Sequence, residues 1–135
     1  MEDLKSFVLY NLQRLKEAEY DDAYHSLIEA DPAVIPLLID AFRVEPHAAT
    51  RATLVEIICQ QRAAETIHFL SEALDDNHPE VWKSALGGFV ALGSPAAIQV
   101  LESVRQRFRA GSQAKSYRIA WIDEAIKQIR DGSFA

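Results

Sequence analysis

Residues 75–95 read Asp75-Asp76-Asn77-His78-Pro79-Glu80-Val81-Trp82-Lys83-Ser84-Ala85-Leu86-Gly87-Gly88-Phe89-Val90-Ala91-Leu92-Gly93-Ser94-Pro95. A charged turn runs into a proline, which is tolerated at the first position of a helix because its missing N–H would have no partner there anyway. Val81, Ala85, Gly88, Phe89 and Leu92 then fall on one helical stripe. Gly93 stops the helix, and Ser94-Pro95 opens the next as an N-cap followed by a first-turn proline. This is one link of a helix–turn–helix chain, over which the remaining sequence can be laid.

Towards the N-terminus, Leu4, Phe7, Val8, Leu12 and Leu15 predict a helix over 2–17, and Tyr20, Ala23, Tyr24, Leu27 and Ile28 a second over 19–30. Asp31-Pro32 is a start signal for a third, carrying Ile35, Leu38, Ala41 and Phe42, with Pro36 in its first turns. Glu45-Pro46-His47 breaks it. A fourth helix is expected from Ala48 to Gln61 and a fifth over 64–74. Beyond the opening stretch come a helix from Pro95 to about Arg107, a polar loop at 109–114, and a last helix from Lys115 to Arg130 with Gly132 just past its end. Two-residue alternation is absent, so no strand is expected.

The helices pair, and the pairs repeat. Ile35, Leu38 and Ala41 recur as Ile67, Leu70 and Ala73, and again as Ile98, Leu101 and Val104. Arg51, Leu54, Glu56, Ile57 and Ile58 lie over Trp82, Ala85, Gly87, Gly88 and Phe89. Ile122, Glu124, Ala125, Ile126 and Ile129 take the places of Ala85, Gly87, Gly88, Phe89 and Leu92. Each pair has an apolar stripe that it cannot bury alone, and stacking buries it.

On these residues the chain resembles the HEAT-repeat family in its short, bacterial, bilin-lyase-like form. The family's closing helix reads Val-Arg-x-x-Ala-x-x-Ala-Leu-Gly-x-Ile-Gly before Asp-Pro or Ser-Pro, and residues 81–95 follow that pattern. Residues 31–62 match less closely, 95–130 less again, and 2–30 only in helical periodicity. Trp82 stands where the family often has arginine, which puts its usual turn-side ion pair in doubt at that position. The resemblance implies an all-α solenoid of about four antiparallel helix pairs, repeats over 2–30, 31–62, 63–94 and 95–132, in a single domain spanning 1–135.

Composition fits a globular chain: 49% hydrophobic and 25% charged residues argue against disorder. No signal-peptide pattern opens it and no apolar run approaches the roughly 20 residues that span a bilayer. A cytoplasmic protein with no membrane partner is therefore expected. Cys59 is the only cysteine, so no internal disulfide can form. The net charge of −6 is uneven: residues 1–94 carry −9 and residues 95–135 carry +3. An acidic body disfavours nucleic acid and favours a basic partner.

No catalytic, metal or cofactor set is read from the sequence. His25, His47, His68 and His78 are scattered outside any zinc spacing. Cys59 is read as a small packing residue, and Gly87-Gly88 lacks the frame and the preceding strand of a phosphate loop. Close helix packing explains Gly88 better. Bilin lyases handle chromophores on such repeats and alkylpurine glycosylases bind DNA on them, but no residue here carries the first chemistry and the acidity opposes the second.

With Ala85 at the core, positions 83, 87 and 90 point away from it. The resemblance places closing helices on the concave surface, and with them Lys83, Gly87 and Val90, their equivalents Ala52, Glu56 and Cys59 in the helix before, and Ala120, Glu124 and Lys127 in the helix after. Trp82 and Leu86, four apart on the flank, either pack between repeats or anchor a partner, since tryptophan and arginine are favoured anchors. Arg51 is the positional equivalent of Trp82, and Arg118 and Asp123 join Lys127 on the surface of the last helix. The expected function is a non-enzymatic scaffold, monomeric, that binds another protein through this face. An immunity-type inhibitor of a basic toxin is the sharper alternative. A chromophore-handling protein and a nucleic-acid-binding one are the contrasting alternatives.

Overall fold

The computed structural model describes residues 3–17, 19–60, 66–111 and 115–132. Among them are eight α-helices and no strand: α1 (Leu4–Leu15), α2 (Tyr20–Ile28), α3 (Ile35–Val44), α4 (Ala48–Cys59), α5 (Ile67–Ala73), α6 (Pro79–Leu92), α7 (Pro95–Ala110) and α8 (Ser116–Arg130). The expected end of the fourth helix at Gln61, the start of the fifth at residue 64, and residues 112–114 of the expected 109–114 loop lie outside the described residues, while Arg109 and Ala110 extend α7 instead of opening that loop.

The punctuation in the sequence sets the ends. Asp3 caps α1 by accepting from the Ser6 N–H at 2.7 Å, and Ser94 caps α7 by accepting from the Ala97 N–H at 3.2 Å. Gly93 closes α6 at φ 57°, and Gly132 follows α8 at φ 66°, left-handed positions that a side chain would strain. Asp31 accepts from the Ala33 N–H at 2.8 Å. Pro32–Val34 first forms a 3-10 turn, and α3 begins only at Ile35. An α-helical first turn would need a Pro36 N–H to reach the Pro32 carbonyl, and proline has none. The Ile35 N–H takes that carbonyl instead.

Successive helices pack in pairs, α1 on α2, α3 on α4, α5 on α6 and α7 on α8, and the pairs stack. The even-numbered helices form one continuous row, joined most extensively where α4 meets α6, then α6 with α8. Gly88 explains the close approach of α4 and α6. A Cβ there would lie 2.3 Å from the Cys59 Sγ and 3.2 Å from both Leu70 methyls. Phe89, beside it, is completely buried, as are Leu70 of α5 and Leu74 at its C-terminal cap. The odd row is joined at α3 and α5 by an edge-to-face pair, Phe42 and Phe69, with centroids 5.0 Å apart. Outside it, the Arg43 guanidinium spans to both oxygens of Glu72.

Charged side chains clamp the turns. Arg51 of α4 donates to both Asp76 oxygens, at 2.9 and 3.2 Å, and to the carbonyls of Glu45 and Pro46. It thereby ties the turn before its own helix to the turn between α5 and α6. Arg107 of α7 grips Asp75 of the same turn. At the equivalent of Arg51 stands Trp82, which has no charge to offer, and a guanidinium arrives from the following pair instead. Arg118 of α8 lies with its Cζ 4.9 Å from the Trp82 ring centre and donates to the Leu74 carbonyl at 2.7 Å.

Candidate functional site

The face of the even row carries two adjoining depressions. One, of about 310 Å³, lies between α4 and α6 and is lined by Tyr24, Glu56, Cys59, Gln60, Ser84, Gly87, Gly88 and Ala91. The other, of about 240 Å³, lies between α6 and α8 and is lined by Lys83, Leu86, Gly87, Val90, Trp121, Glu124, Ala125 and Gln128. Gly87 belongs to both. It is exposed, and a Cβ placed on it meets nothing within 4 Å. The ridge of α6 that would divide the depressions is therefore bare at its middle, and they read as one groove crossing three helices.

Two carboxylates stand on the groove's flanks, Glu56 on α4 and Glu124 on α8, and both are exposed. Burial, and after it the charge of the neighbouring Glu56, raise the Tyr24 phenol above its usual range. The Cys59 thiol lies in the α4–α6 floor and is pushed up to about 12, first by burial and then by the Glu56 charge. A thiol so shifted stays protonated near neutral pH and is no nucleophile there. Lys83 is the cation of the groove. Its ammonium lies 4.3 Å from the Trp121 ring centre and donates to the Tyr117 hydroxyl at 3.4 Å.

Of the residues singled out in the sequence, Glu56, Lys83, Leu86, Gly87, Val90 and Glu124 come together in this groove, Leu86 as a wall only 4% exposed. Six others are placed differently. Ala52 is 8% exposed and belongs to the core of the stack, and Arg118 turns inward to the Leu74 carbonyl and the Trp82 ring. Trp82 is 2% exposed and packs between α6 and α8, the first of its two expected roles. Arg51 is committed to the turn, because Asp76 and two carbonyls satisfy its guanidinium there. Asp123 turns away to α7, where Arg105 donates to it at 2.6 Å. Lys127 lies on the outer flank of α8 and pairs with Asp131 at 3.1 Å. The acidic turn is also less free than its charge suggests, since Asp75 and Asp76 each hold an arginine.

Tyr24, Gln60, Ser84, Trp121, Gln128 and the rim residue Tyr117 were not singled out as site residues from the sequence. Tyr117 and Trp121 had a signal: aromatic residues four apart on one flank of the helix, continued by the small Ala125 four residues further on. Carrying the repeat register onto α8 put 120, 124 and 127 on the groove side, whereas the groove takes 121, 124, 125 and 128.

A paired, stacked helical array with a guanidinium clamp at its turns and an open face along one row is now defined. A family model described as HEAT repeats matches residues 35–109. The chain belongs to the HEAT-repeat family. The match covers α3 to nearly the end of α7, including the Arg51–Asp76 clamp and the α4–α6 half of the groove. No curated protein and no solved structure matches the chain significantly. HEAT repeats commonly serve as protein-interaction scaffolds and are generally non-catalytic. Among the described residues no group of His, Cys, Asp and Glu is placed to hold a metal ion, and no helix is long and apolar enough to cross a membrane.

Proposed function

We propose that this HEAT-repeat chain is a non-enzymatic interaction module that holds a basic segment of a partner protein in the groove over α4, α6 and α8. The observation that carries the reading is the bare Gly87 at the waist of the groove, with Glu56 and Glu124 on either flank. A glycine there lets a partner's backbone or ring approach closely. The flanking carboxylates favour a cationic side chain and oppose a phosphate backbone. Lys83, of opposite sign, is held against aromatic rings and helps set register and exclude wrong partners.

Gly87→Arg tests the reading. The site has room, and exchanging glycine for arginine in a helix gains up to about 1 kcal/mol of propensity, so folding should be kept. The arginine fills the waist and places a like charge before a basic segment. Protein captured from host lysate by the wild type should be lost at least tenfold by Gly87→Arg, about 1.4 kcal/mol. It should be kept by Ser103→Arg, an exposed change on α7 away from the groove. A partner retained equally by Gly87→Arg, or one that is acidic, refutes the proposal.

A further inference from the structure

At the α8 end of the groove, three aromatic rings surround one ammonium. Trp82, Tyr117 and Trp121 stand mutually edge-to-face, with centroids 6.0, 6.1 and 6.4 Å apart and interplanar angles of 76°, 77° and 70°. Rings so steeply inclined to one another make walls rather than a stack. The Lys83 Nζ lies 4.3 Å from the Trp121 centre, 5.6 Å from Tyr117 and 5.7 Å from Trp82. All three are within the roughly 6 Å over which a ring's quadrupole holds a cation. Its one hydrogen bond is to the Tyr117 hydroxyl, so among the described residues this ammonium is held by rings and an OH rather than by a carboxylate.

The box has a closed back and an open front. Trp82 is 2% exposed, and its Nε1 finds no hydrogen-bond partner among the described residues. Trp121 and Tyr117 are 40% and 60% exposed and form the front. Trp121 and Lys83 also line the α6–α8 depression, so the box opens into the groove.

We infer that Trp82, Tyr117 and Trp121 form a cation-binding box, that Lys83 is its resident ligand, and that an ammonium or guanidinium side chain of the partner takes its place on binding. The identity of the incoming cation as a partner side chain rests on the groove reading above; the box itself does not. The exchange is balanced in kind. The incoming cation gains the exposed faces of Trp121 and Tyr117. The flexible Lys83 stem swings out into a depression that Glu124 also lines, so the displaced ammonium has a carboxylate to meet. Recognition by ring faces selects for organic cations, because an apolar shell around the charge is favoured and a neutral group of the same shape gains nothing electrostatic.

The test uses the whole chain and no partner. Trp82 and Trp121 are the only tryptophans, so the protein shows two indole N–H resonances and both report on the box. Tetramethylammonium chloride is titrated against sodium chloride of equal ionic strength, and separately against the neutral isostere neopentyl alcohol. Lys83→Met vacates the box with a side chain of similar length, and its thermal midpoint is checked first; Lys83→Gln serves if it is lowered. The vacated box should bind tetramethylammonium saturably, about fivefold or more tighter than the wild type, whose own lysine competes. Neopentyl alcohol should cause no saturable shift, and adding Trp121→Ala should remove the tetramethylammonium response. Equal affinity in wild type and Lys83→Met, equal response to the neutral isostere, or no saturable response in the vacated box overturns the inference. Each result stands whether or not Gly87→Arg loses a partner.

Discussion

The clamp between Arg51 and Asp76 should account for a large part of the cohesion between the second and third helix pairs. Its side chains are only 14% and 12% exposed, and both Asp76 oxygens are engaged. Removing one member of a buried pair costs about 3–5 kcal/mol, because the survivor is left charged and unpaired. Some access to water here argues for the lower part of that range. Arg51→Ala also abandons the Glu45 and Pro46 carbonyls, at about 1 kcal/mol each, so a loss of about 5 kcal/mol is expected. Asp76→Ala keeps those bonds but frees the His78 N–H it accepts at 3.0 Å, and should cost about 3–4 kcal/mol. The double variant should cost less than the sum, with a coupling energy of about 1.5–3 kcal/mol by urea unfolding. Acid supplies an independent check. Burial acts to raise the Asp76 carboxyl, but the Arg51 bonds, the His78 N–H and the charges of Arg51 and His78 outweigh it, so it lies below its ordinary value of 3.8. A carboxyl depressed in the folded state contributes stability above its unfolded pKa, and that contribution is lost as pH falls through the folded value. The wild type should therefore lose stability below about pH 4, and Asp76→Asn should flatten that limb. A coupling energy under about 0.5 kcal/mol would show the pair to be an ordinary surface one. The turn would then rest on Arg107 and Arg118.

Three further outcomes are expected. Phe89→Ala, in a fully buried site between α5 and α6, should cost about 3–5 kcal/mol in urea unfolding; a loss below about 1 kcal/mol refutes the assigned core stripe. Gly88→Ala should cost about 1–3 kcal/mol by overpacking, and Cys59→Ala in the same chain should return part of it; a thermal midpoint unchanged by Gly88→Ala alone would mean that α4 and α6 separate without penalty. Glu56→Gln with Glu124→Gln should slow association with the captured partner and flatten its salt dependence, measured by stopped flow, whereas neutralising the Glu72 carboxylate that Arg43 occupies should leave both unchanged.

The helical array was legible because its signals are local. Asp31-Pro32, Ser94-Pro95, Gly93 and Gly132 act within one turn, and the apolar stripes repeat every three or four residues. The α6 side of the groove was legible for the same reason: once Ala85 is core, Lys83, Gly87 and Val90 must face away from it. The α8 side was not. Its register was carried over from α6 through Ile122 and Ile126, and a small rotation of the last helix exchanges Lys127 and Ala120 for Trp121 and Gln128. That rotation depends on how α8 packs on Trp82, a contact 39 residues distant in sequence for Trp121 and invisible to periodicity.

Arg51 shows why position alone misleads in a repeat. Two residues at equivalent places, Arg51 and Trp82, were weighed together as anchors, yet one clamps a turn and the other forms the back wall of a ring box. The difference follows from charge. A guanidinium at that place finds Asp76 in the turn between α5 and α6, 25 residues on, and is satisfied there. An indole finds no such use for the turn and turns its faces to whatever cations lie near, Arg118 on α8 and Lys83 beside it. The same logic moves the acidic character of the chain. Its net charge of −6 draws attention to the turns, but Glu45, Glu72, Asp75 and Asp76 are already bound to Lys16, Arg43, Arg107 and Arg51. Glu56 and Glu124 take part in none of these clamps, so the basic segment proposed above would meet them in the groove, where the bare Gly87 between them leaves it room.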